Sequence, residues 1–147
     1  MTFRFEYRYY KKLSINNEAG FFIIIDDEFD SIEYGILNSL NKIIFQEYYN
    51  VSKVTKEKIK NVLKSNLDIF NLNSYIYING IHNDEEQLFY FHLNDKNRKI
   101  EGTNINYKTI NNKSVLLILK VFDEISQILS EENIILKLTS LNKTRSC

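Results

Sequence analysis

The sequence contains no proline, no tryptophan, only four glycines and a single cysteine, Cys147. One cysteine cannot form an internal disulfide, and it is too few for a zinc cluster. Four scattered glycines cannot build a phosphate-binding loop, a dinucleotide fingerprint or a nucleophile elbow, and none of these motifs is present. Several enzyme classes that can be recognised from sequence are therefore excluded.

Net charge and long apolar runs are also lacking. Nineteen basic and nineteen acidic side chains give a net charge of zero, so the overall charge implies no nucleic-acid or membrane partner. Charges at Arg4, Glu6 and Arg8 interrupt any apolar segment of a signal peptide. No apolar run approaches the roughly 20 residues that span a bilayer. We expect a cytoplasmic protein without a cofactor or a metal.

The size and composition are those of one globular domain. A chain of 147 residues with 44% hydrophobic residues can bury a core without disulfides or metals. The sequence has no internal repeat and no linker composition. We therefore expect a single domain over residues 1–147, with a frayed tail over about 139–147.

In the first half of the chain the apolar pattern predicts two strands and two helices. Alternation of apolar and charged residues indicates a half-buried strand, and the continuous run "FFIII" is typical of a central strand covered on both faces. Apolar residues at three- and four-residue spacing then predict helices, with Asp30 or Ser31 capping the first and Ser52 the second. The predicted elements are strands 2–10 and 21–25 and helices 32–48 and 53–66.

In the second half the pattern predicts a hairpin, a helix and a final strand. Residues Tyr75–Gly80 and Leu88–Leu93 would pair around a loop at Asn83–Glu86, which gives one apolar and one polar face. The polar segment 94–112 predicts a long loop, with an edge strand near 103–109. A strong helix is predicted over 114–129 and a strand over 133–138.

These elements define an α+β fold, with helices packed on an antiparallel or mixed sheet. Without its first strand, the predicted order is strand, helices, hairpin, helix and strand. That order favours a split βαβ, ferredoxin-like layout with an extra N-terminal strand.

The two histidines are the remaining candidates for a general base. In the predicted hairpin, His82 and His92 lie on opposite faces, so they cannot share a proton relay or a metal ion. No aspartate or glutamate has a lysine two residues later, as a metal-dependent nuclease strand would require. An enzyme is therefore the less favoured class.

The segment "DDEFDSIEYG" places five carboxylates within eight positions. It lacks the glycine and the bidentate glutamate of a calcium loop. The segment is either a solvated loop whose acids favour the start of the next helix, or an acidic surface that binds a basic partner. The carboxylates are Asp26, Asp27, Glu28, Asp30 and Glu33.

The second predicted helix carries a row of lysines on one face. This is usually a solvated surface, but it could also contact the phosphates of RNA. The segment "QLFYFHLN" lacks the basic residue and the glycine of an RNA-binding strand motif. RNA binding therefore stays an alternative, and its candidate residues are Lys53, Lys56, Lys60 and Lys64.

The segments "FRFEYRYY" and "GFFIIIDDEFDSIEYGILNSL", in a small proline-free chain rich in isoleucine and asparagine, resemble the immunity proteins of bacterial contact-dependent growth inhibition systems. The resemblance lies in overall character and in element order over about the first 65 residues. It implies a non-catalytic inhibitor that binds the C-terminal domain of a toxin, often a nuclease, and covers its active site or substrate groove.

From this resemblance and the charge pattern we expect an interface of carboxylates with aromatic anchors. The candidate aromatic anchors are Tyr34, Tyr48 and Tyr49. The alternatives are an RNA-binding module and a small enzyme, and an isoleucine-rich edge strand could pair two copies into a homodimer. The expected partner-binding residues are Asp26, Asp27, Glu28, Asp30, Glu33, Tyr34, Asp84, Glu85 and Glu86.

Overall fold

The computed structural model describes residues 2–11, 19–78, 85–105 and 112–131. These residues form one α+β domain with a seven-stranded mixed sheet and two α-helices. A short 3-10 helix, Leu67–Asn71, follows the first α-helix. The elements in chain order are β1 (Phe3–Lys11), β2 (Gly20–Asp26), β3 (Ser31–Leu37), β4 (Ile43–Asn50), α1 (Lys53–Ser65), β5 (Tyr75–Tyr77), β6 (Glu85–Leu93), β7 (Lys96–Thr103) and α2 (Lys113–Glu131).

The sheet has the strand order β4-β3-β2-β1-β6-β7-β5. All neighbouring strands are antiparallel except β5 and β7, which are parallel. β1 lies in the centre, and its alternation predicts its two faces correctly. Phe3, Phe5 and Tyr7 are buried, whereas the charged residues between them are only half-buried. The side chains of β1 therefore distinguish a covered face of the sheet, which carries Phe3, Phe5 and Tyr7, from an open face, which carries the charged residues.

The core lies between the covered face of the sheet and the two helices. Phe122 of α2 is its centre: the ring is 4.7 Å from that of Tyr7, 6.3 Å from Phe5 and 6.2 Å from Phe89, between ring centroids. The helix prediction for 114–129 is confirmed, since α2 spans Lys113–Glu131. The predicted apolar stripe is buried, namely Val115, Leu119, Phe122, Ile125 and Leu129.

The prediction of a helix over 53–66 is also confirmed. α1 begins after Ser52, whose hydroxyl accepts a hydrogen bond from the backbone N–H of Thr55 at 3.1 Å. Ile59, Val62 and Leu63 are buried, as their spacing predicts. No helix among the described residues combines the length and the apolar character needed to cross a membrane.

The prediction of a helix over 32–48 is wrong, because this segment forms the hairpin of β3 and β4. Asn38 builds the turn: its side-chain oxygen accepts hydrogen bonds from the N–H groups of Leu40 and Lys42, at 2.9 and 3.0 Å. Asn41 has a φ of 59°, which ends any helical path. Isoleucine, tyrosine and phenylalanine are also strand formers, so their spacing fits either structure over so short a run. Asp30 accordingly precedes β3 and Ser31 begins it, so neither residue caps a helix at this position.

The predicted pairing of Tyr75–Gly80 with Leu88–Leu93 is also wrong. β6 forms its hairpin with β7 through a two-residue turn at Asn94 and Asp95, and β5 lies parallel to β7 at the sheet edge. The segment 94–112, predicted as a loop, therefore contains β7. The predicted inward face is confirmed despite the wrong partner, because inward direction depends on the strand's own alternation. Its buried members are Ile76, Phe89, Phe91 and Leu93.

The observed order of elements differs from the split βαβ layout. Four strands precede the first helix, because residues 32–48 are strands, and the predicted layout needs a helix there. The α+β class and the packing of helices on the sheet are confirmed. The predicted strand over 133–138, the tail and residues 106–109 of the predicted edge strand lie outside the described residues, as do His82, Asp84 and Cys147.

Candidate functional site: an acidic cleft on the open face of the sheet

The open face of the sheet carries a cleft of about 450 Å3 where β1, β2, β3 and β4 meet the loop after β2. The strand register explains how distant residues converge there. Arg4 lies opposite Asp26 across β1 and β2, and Glu33 lies opposite Tyr48 across β3 and β4. We call this site the acidic cleft. Its lining residues are Arg4, Ile24, Asp26, Glu28, Phe29, Ser31, Glu33 and Tyr48.

The acidic cleft has a negative charge that is only partly compensated. Three carboxylates, those of Asp26, Glu28 and Glu33, line it together with one guanidinium, that of Arg4. Arg4 pairs with Asp26 at 3.1 Å, between Nη1 and Oδ2. The formal charge of the lining is therefore −2, one positive charge against three negative ones. A cationic group that entered the cleft would find two uncompensated carboxylates.

Glu33 is held in place by two neighbours on β4. The Tyr48 hydroxyl and the Gln46 side-chain nitrogen both donate to Glu33 Oε1 at 3.0 Å. The carboxylate beside the Tyr48 hydroxyl raises the pKa of that tyrosine, because hydrogen bonding and charge both favour the protonated form. The negative charge of Glu33 is thus fixed on the wall of the cleft.

Glu28 and Phe29 form the exposed rim. No described residue forms an ion pair or a hydrogen bond with the Glu28 carboxylate, and Phe29 is 60% exposed. The loop is fixed beneath them, since Asp26 Oδ1 accepts hydrogen bonds from the backbone N–H of Glu28 at 3.0 Å and of Phe29 at 3.4 Å. An aromatic ring, and a carboxylate with no partner among the described residues, therefore project from a defined backbone.

The remaining acids of the predicted stretch have structural contacts. Asp27 Oδ1 accepts a hydrogen bond from the backbone N–H of Phe3 at 3.2 Å. Asp30 pairs with Lys56 of α1 at 2.9 Å, and the hydrogen bond and charge of Lys56 lower the pKa of the Asp30 carboxyl. Of the five predicted carboxylates, the fold brings Asp26, Glu28 and Glu33 together in the acidic cleft and uses the other two elsewhere.

The structure separates Glu85 and Glu86, the other predicted partner-binding acids that it describes, from the acidic cleft. Glu86 lies opposite Tyr10, near the far end of β1, whereas Asp26 lies opposite Arg4. Six residues of strand separate these two positions, which is roughly 20 Å. Glu86 lines a different cleft of about 420 Å3 together with Tyr75, Tyr77 and Glu101. Glu85 begins β6 beside Lys11.

Tyr34, predicted as an aromatic anchor, is a core residue. Its side chain is 6% exposed and packs against Phe21, Phe45 and Tyr49 on the covered face. It cannot reach a partner without unfolding of the sheet. Tyr48 is 62% exposed, and Tyr49 is half-buried. Sequence reasoning missed Phe29 and Arg4, although a single aromatic residue within an acidic loop is a usable signal.

The lysine row on α1 is not a uniform solvent-facing surface. Lys56 is 7% exposed, and its ammonium donates to the backbone carbonyls of Asp27 and Phe29, at 3.2 and 3.1 Å, in addition to Asp30. It therefore connects the loop of the acidic cleft to α1. A buried and fully engaged lysine is not available to a phosphate.

Lys60 is also engaged. It pairs with Glu57 at 3.0 Å, and its ammonium lies 5.5 Å from the centroid of the Phe3 ring. Lys53 and Lys64 are exposed. The interaction of Lys60 lowers the pKa of the Glu57 carboxyl. Only the two ends of the row are therefore free for an electrostatic contact with nucleic acid.

Groups that could hold a metal ion or start a proton transfer are sparse in the described part of the chain. It contains no cluster of three or more histidine, cysteine, aspartate or glutamate side chains with metal-binding geometry. His92 Nε2 lies 3.3 Å from the hydroxyl of Thr2. What the acidic cleft offers is recognition of positive charge. No protein-family model matches the chain, and no curated protein matches its sequence.

Proposed function

We propose that this protein is a cytoplasmic immunity protein, a non-catalytic inhibitor that binds the toxic domain of a bacterial effector and covers its active site or substrate groove. The observation that carries the proposal is the acidic cleft, with a formal charge of −2 and an exposed aromatic rim. The composition of the chain and its opening segments resemble those of immunity proteins and support the same class, whereas the element order expected over the first 65 residues is not the one observed.

The charge of the acidic cleft suits a toxin that acts on nucleic acid. A nuclease binds its substrate through lysine and arginine side chains that contact phosphates. Carboxylates at fixed positions can occupy the same side chains, and long-range attraction speeds the encounter. Glu33, oriented by Tyr48 and Gln46, and Glu28, free of partners among the described residues, are the two carboxylates best placed for this role.

The exposed rim supplies the apolar part of the contact. Phe29 is 60% exposed beside Glu28, and Tyr48 is 62% exposed beside Glu33. Aromatic side chains of this kind contribute a large share of binding energy when a partner buries them, and they exclude water from nearby ion pairs. The arrangement fits a protein partner better than a free ion.

The test starts with affinity capture of the tagged protein from its native host, with neighbouring genes intact. We expect one stoichiometric protein partner whose toxicity this protein abolishes. Recovery of RNA alone, or of no partner, would overturn the proposal.

Binding of the captured toxic domain is then compared among three variants. Glu28→Lys and Phe29→Ala should each raise the dissociation constant at least tenfold, because they remove a free carboxylate and a rim anchor. Glu86→Lys is the matched control, since it makes the same charge reversal on β6, roughly 20 Å from the acidic cleft. It should change the affinity less than twofold. The opposite ranking would move the interface to the second cleft.

A further inference from the structure

One long edge of the sheet carries exposed apolar side chains. β4 is the last strand on its side of the sheet, and no other strand among the described residues pairs with its outer edge. Edge strands of monomeric proteins are usually short, charged or covered. β4 is eight residues long, with Glu47 as its one charged residue. The exposed fractions along this edge and its turn are 73% for Leu40, 52% for Ile43, 50% for Ile44, 43% for Phe45 and 62% for Tyr48.

The hydrogen-bonding phase of β4 shows which backbone groups are open. The N–H of Val51 donates to the carbonyl of Asp30 at 2.9 Å, so this is a hydrogen-bonded pair of the antiparallel ladder. Such pairs alternate along a ladder, and the register is unbroken from Val51 back to Phe45. The N–H and C=O groups of Gln46, Tyr48 and Asn50 therefore point away from β3, along the open edge.

We propose that β4 pairs with β4 of a second copy of this chain, in an antiparallel arrangement that joins the two sheets. A two-fold pair of this kind needs a strand that complements itself. The open backbone groups belong to Gln46, Tyr48 and Asn50. The pairing must therefore place these residues opposite residues of the second copy whose N–H and C=O groups also point to the open edge. This restricts the two-fold axis to a few positions.

The side chains select among those positions. An axis at Glu47 would place two carboxylates directly opposite each other, which destabilises a ladder. An axis at Gln46 places Gln46 opposite its own copy and brings Tyr48 beside Ile44. β4 has a register shift against β3 at Ile44, so regular pairing across the dimer extends over Phe45–Asn50, and the Ile44 side chain covers Tyr48 from the end of that stretch. An axis at Tyr48 would leave Ile44 and Phe45 uncovered. An axis at Phe45 would place Tyr48 opposite Lys42, which lies outside β4, and would leave Tyr48 uncovered. The axis that covers both Ile44 and Tyr48 is therefore the one at Gln46.

The exposed area fits a weak dimer. With about 200 Å2 for a side chain of this size, the five exposed residues offer roughly 560 Å2 per copy, which sets an upper limit of about 1,100 Å2 for the pair. This lies at the lower limit for a specific interface. The dimer should consequently form at high concentration and dissociate on dilution.

A second copy fits this edge better than an unrelated acidic or basic strand. β4 presents apolar, aromatic and amide side chains with a single carboxylate, so a partner of strong charge would gain little from it. The acidic cleft lies on the face of the sheet, but Tyr48 belongs to both surfaces, so a second copy and a partner in the cleft would compete for this side chain. The dimer is argued from the open edge of β4 and does not depend on the proposed toxin binding.

Sedimentation of the whole chain over a range of concentrations tests the proposal. The wild-type mass should rise from 17.5 kDa towards twice that value as the concentration increases. Gln46→Pro removes an N–H that points away from β3, so it blocks the dimer and keeps the internal ladder. Gln46→Thr keeps the N–H and is the matched control. We expect Gln46→Thr to dimerise like the wild type and Gln46→Pro to remain a monomer.

A double variant tests the dimer independently in case Gln46→Pro does not fold, which a loss of its circular dichroism signal would show. Ile44→Lys combined with Tyr48→Lys changes two exposed side chains and places like charges near one another in the proposed register. The Tyr48 substitution also removes the hydrogen bond to Glu33, so this variant is used only for the oligomeric state. This variant should remain a monomer. A wild type that is monomeric at every concentration, or a dimer that survives both changes, would overturn the proposal.

Discussion

A single lysine illustrates how far a side chain's role depends on its neighbours. In the sequence Lys56 is one of four lysines on a helix face, but in the structure it is buried between α1 and the loop Asp26–Asp30. Its three hydrogen bonds fix the backbone that presents Glu28 and Phe29. The acidic cleft thus depends on a residue that does not line it.

Replacement of Lys56 by methionine should destabilise the protein by about 2 kcal/mol, because two loop carbonyls lose a charged donor in a buried position. Urea denaturation measures this change. Lys53→Met is the matched control on the same helix, and as an exposed position it should change the stability by less than about 0.5 kcal/mol. Equal effects of the two substitutions would contradict the role of Lys56.

The same contact predicts a pH dependence. Since Lys56 lowers the pKa of Asp30 in the folded state, the ion pair stabilises the fold above the ordinary aspartate pKa of 3.8. This contribution is lost as the pH falls through the lowered folded pKa. An NMR titration should show a pKa of Asp30 below 3.8 in the wild type and closer to 3.8 in Lys56→Met. An unchanged pKa in the variant would be evidence against the contact.

At the scale of elements, the β3–β4 hairpin creates the acidic cleft. A helix over residues 32–48 would have separated Glu33 from Tyr48 by about 22 Å along its axis. The hairpin makes them direct neighbours. The turn at Asn38–Asn41 therefore decides both the fold and the site.

Asn41 offers a direct test of this turn. Its φ of 59° is in the left-handed region, which a β-branched residue tolerates poorly. Asn41→Val should destabilise the protein by about 1–2 kcal/mol, whereas Asn41→Gly should be neutral or slightly stabilising. Thermal unfolding of the two variants measures the difference. If the valine variant were as stable as the glycine variant, the left-handed turn would be wrong.

Gly35 is required by the close approach of β2 and β3 on the open face. A Cβ atom at this position would lie 2.1 Å from Cε1 of Phe22, a side chain that is 1% exposed. The Phe22 ring also has the Arg8 guanidinium 5.4 Å from its centroid, so it has little freedom to move. Gly35→Ala should therefore destabilise the protein by about 2 kcal/mol.

The combination of Gly35→Ala with Phe22→Leu supplies the control for that prediction. A leucine has no ring atom at the position of the clash, so the double variant should lose less stability than the sum of the single variants. Strictly additive effects in urea denaturation would show that the clash with Phe22 is not the cause.

At the scale of the whole molecule, stability should be highest at the centre of the sheet. β1 is paired on both sides, and Phe5 and Tyr7 pack against Phe122 of α2. β4 is paired on one side and exposes most of its side chains. Local opening is easiest where few apolar contacts and open backbone groups coincide.

Hydrogen exchange at low protein concentration, where the proposed dimer dissociates, should show this gradient. Amides of β1 and β6 should exchange much more slowly than those of β4, and α2 should resemble β1 because it covers the same core. Mass spectrometry of peptic fragments resolves these segments. Equal protection of β4 and β1 would mean that another element covers the edge of β4.

Much of the fold could be predicted from the sequence, namely the elements with a strong periodicity of their own. β1, α1 and α2 follow from alternation or from apolar stripes over at least nine residues, and Ser52 caps α1 as its position indicates. Inward faces were also predictable, since they depend on each element alone. The helix predicted over 32–48 failed because its isoleucines and aromatics satisfy both periods, and the turn chemistry of two asparagines decides between them.

For the candidate site, the sequence by itself determined the supply of carboxylates in residues 26–33 and the lack of net charge. Only the tertiary structure decided which of them meet. The strand register places Glu33 opposite Tyr48. Asp30 forms an ion pair with Lys56 and does not line the acidic cleft, and the side chain of Tyr34 is buried in the core. The physical reason is that composition and period are local properties of the chain. Pairing between strands depends on the free energy of the whole sheet, and this free energy cannot be read from the sequence of any single segment.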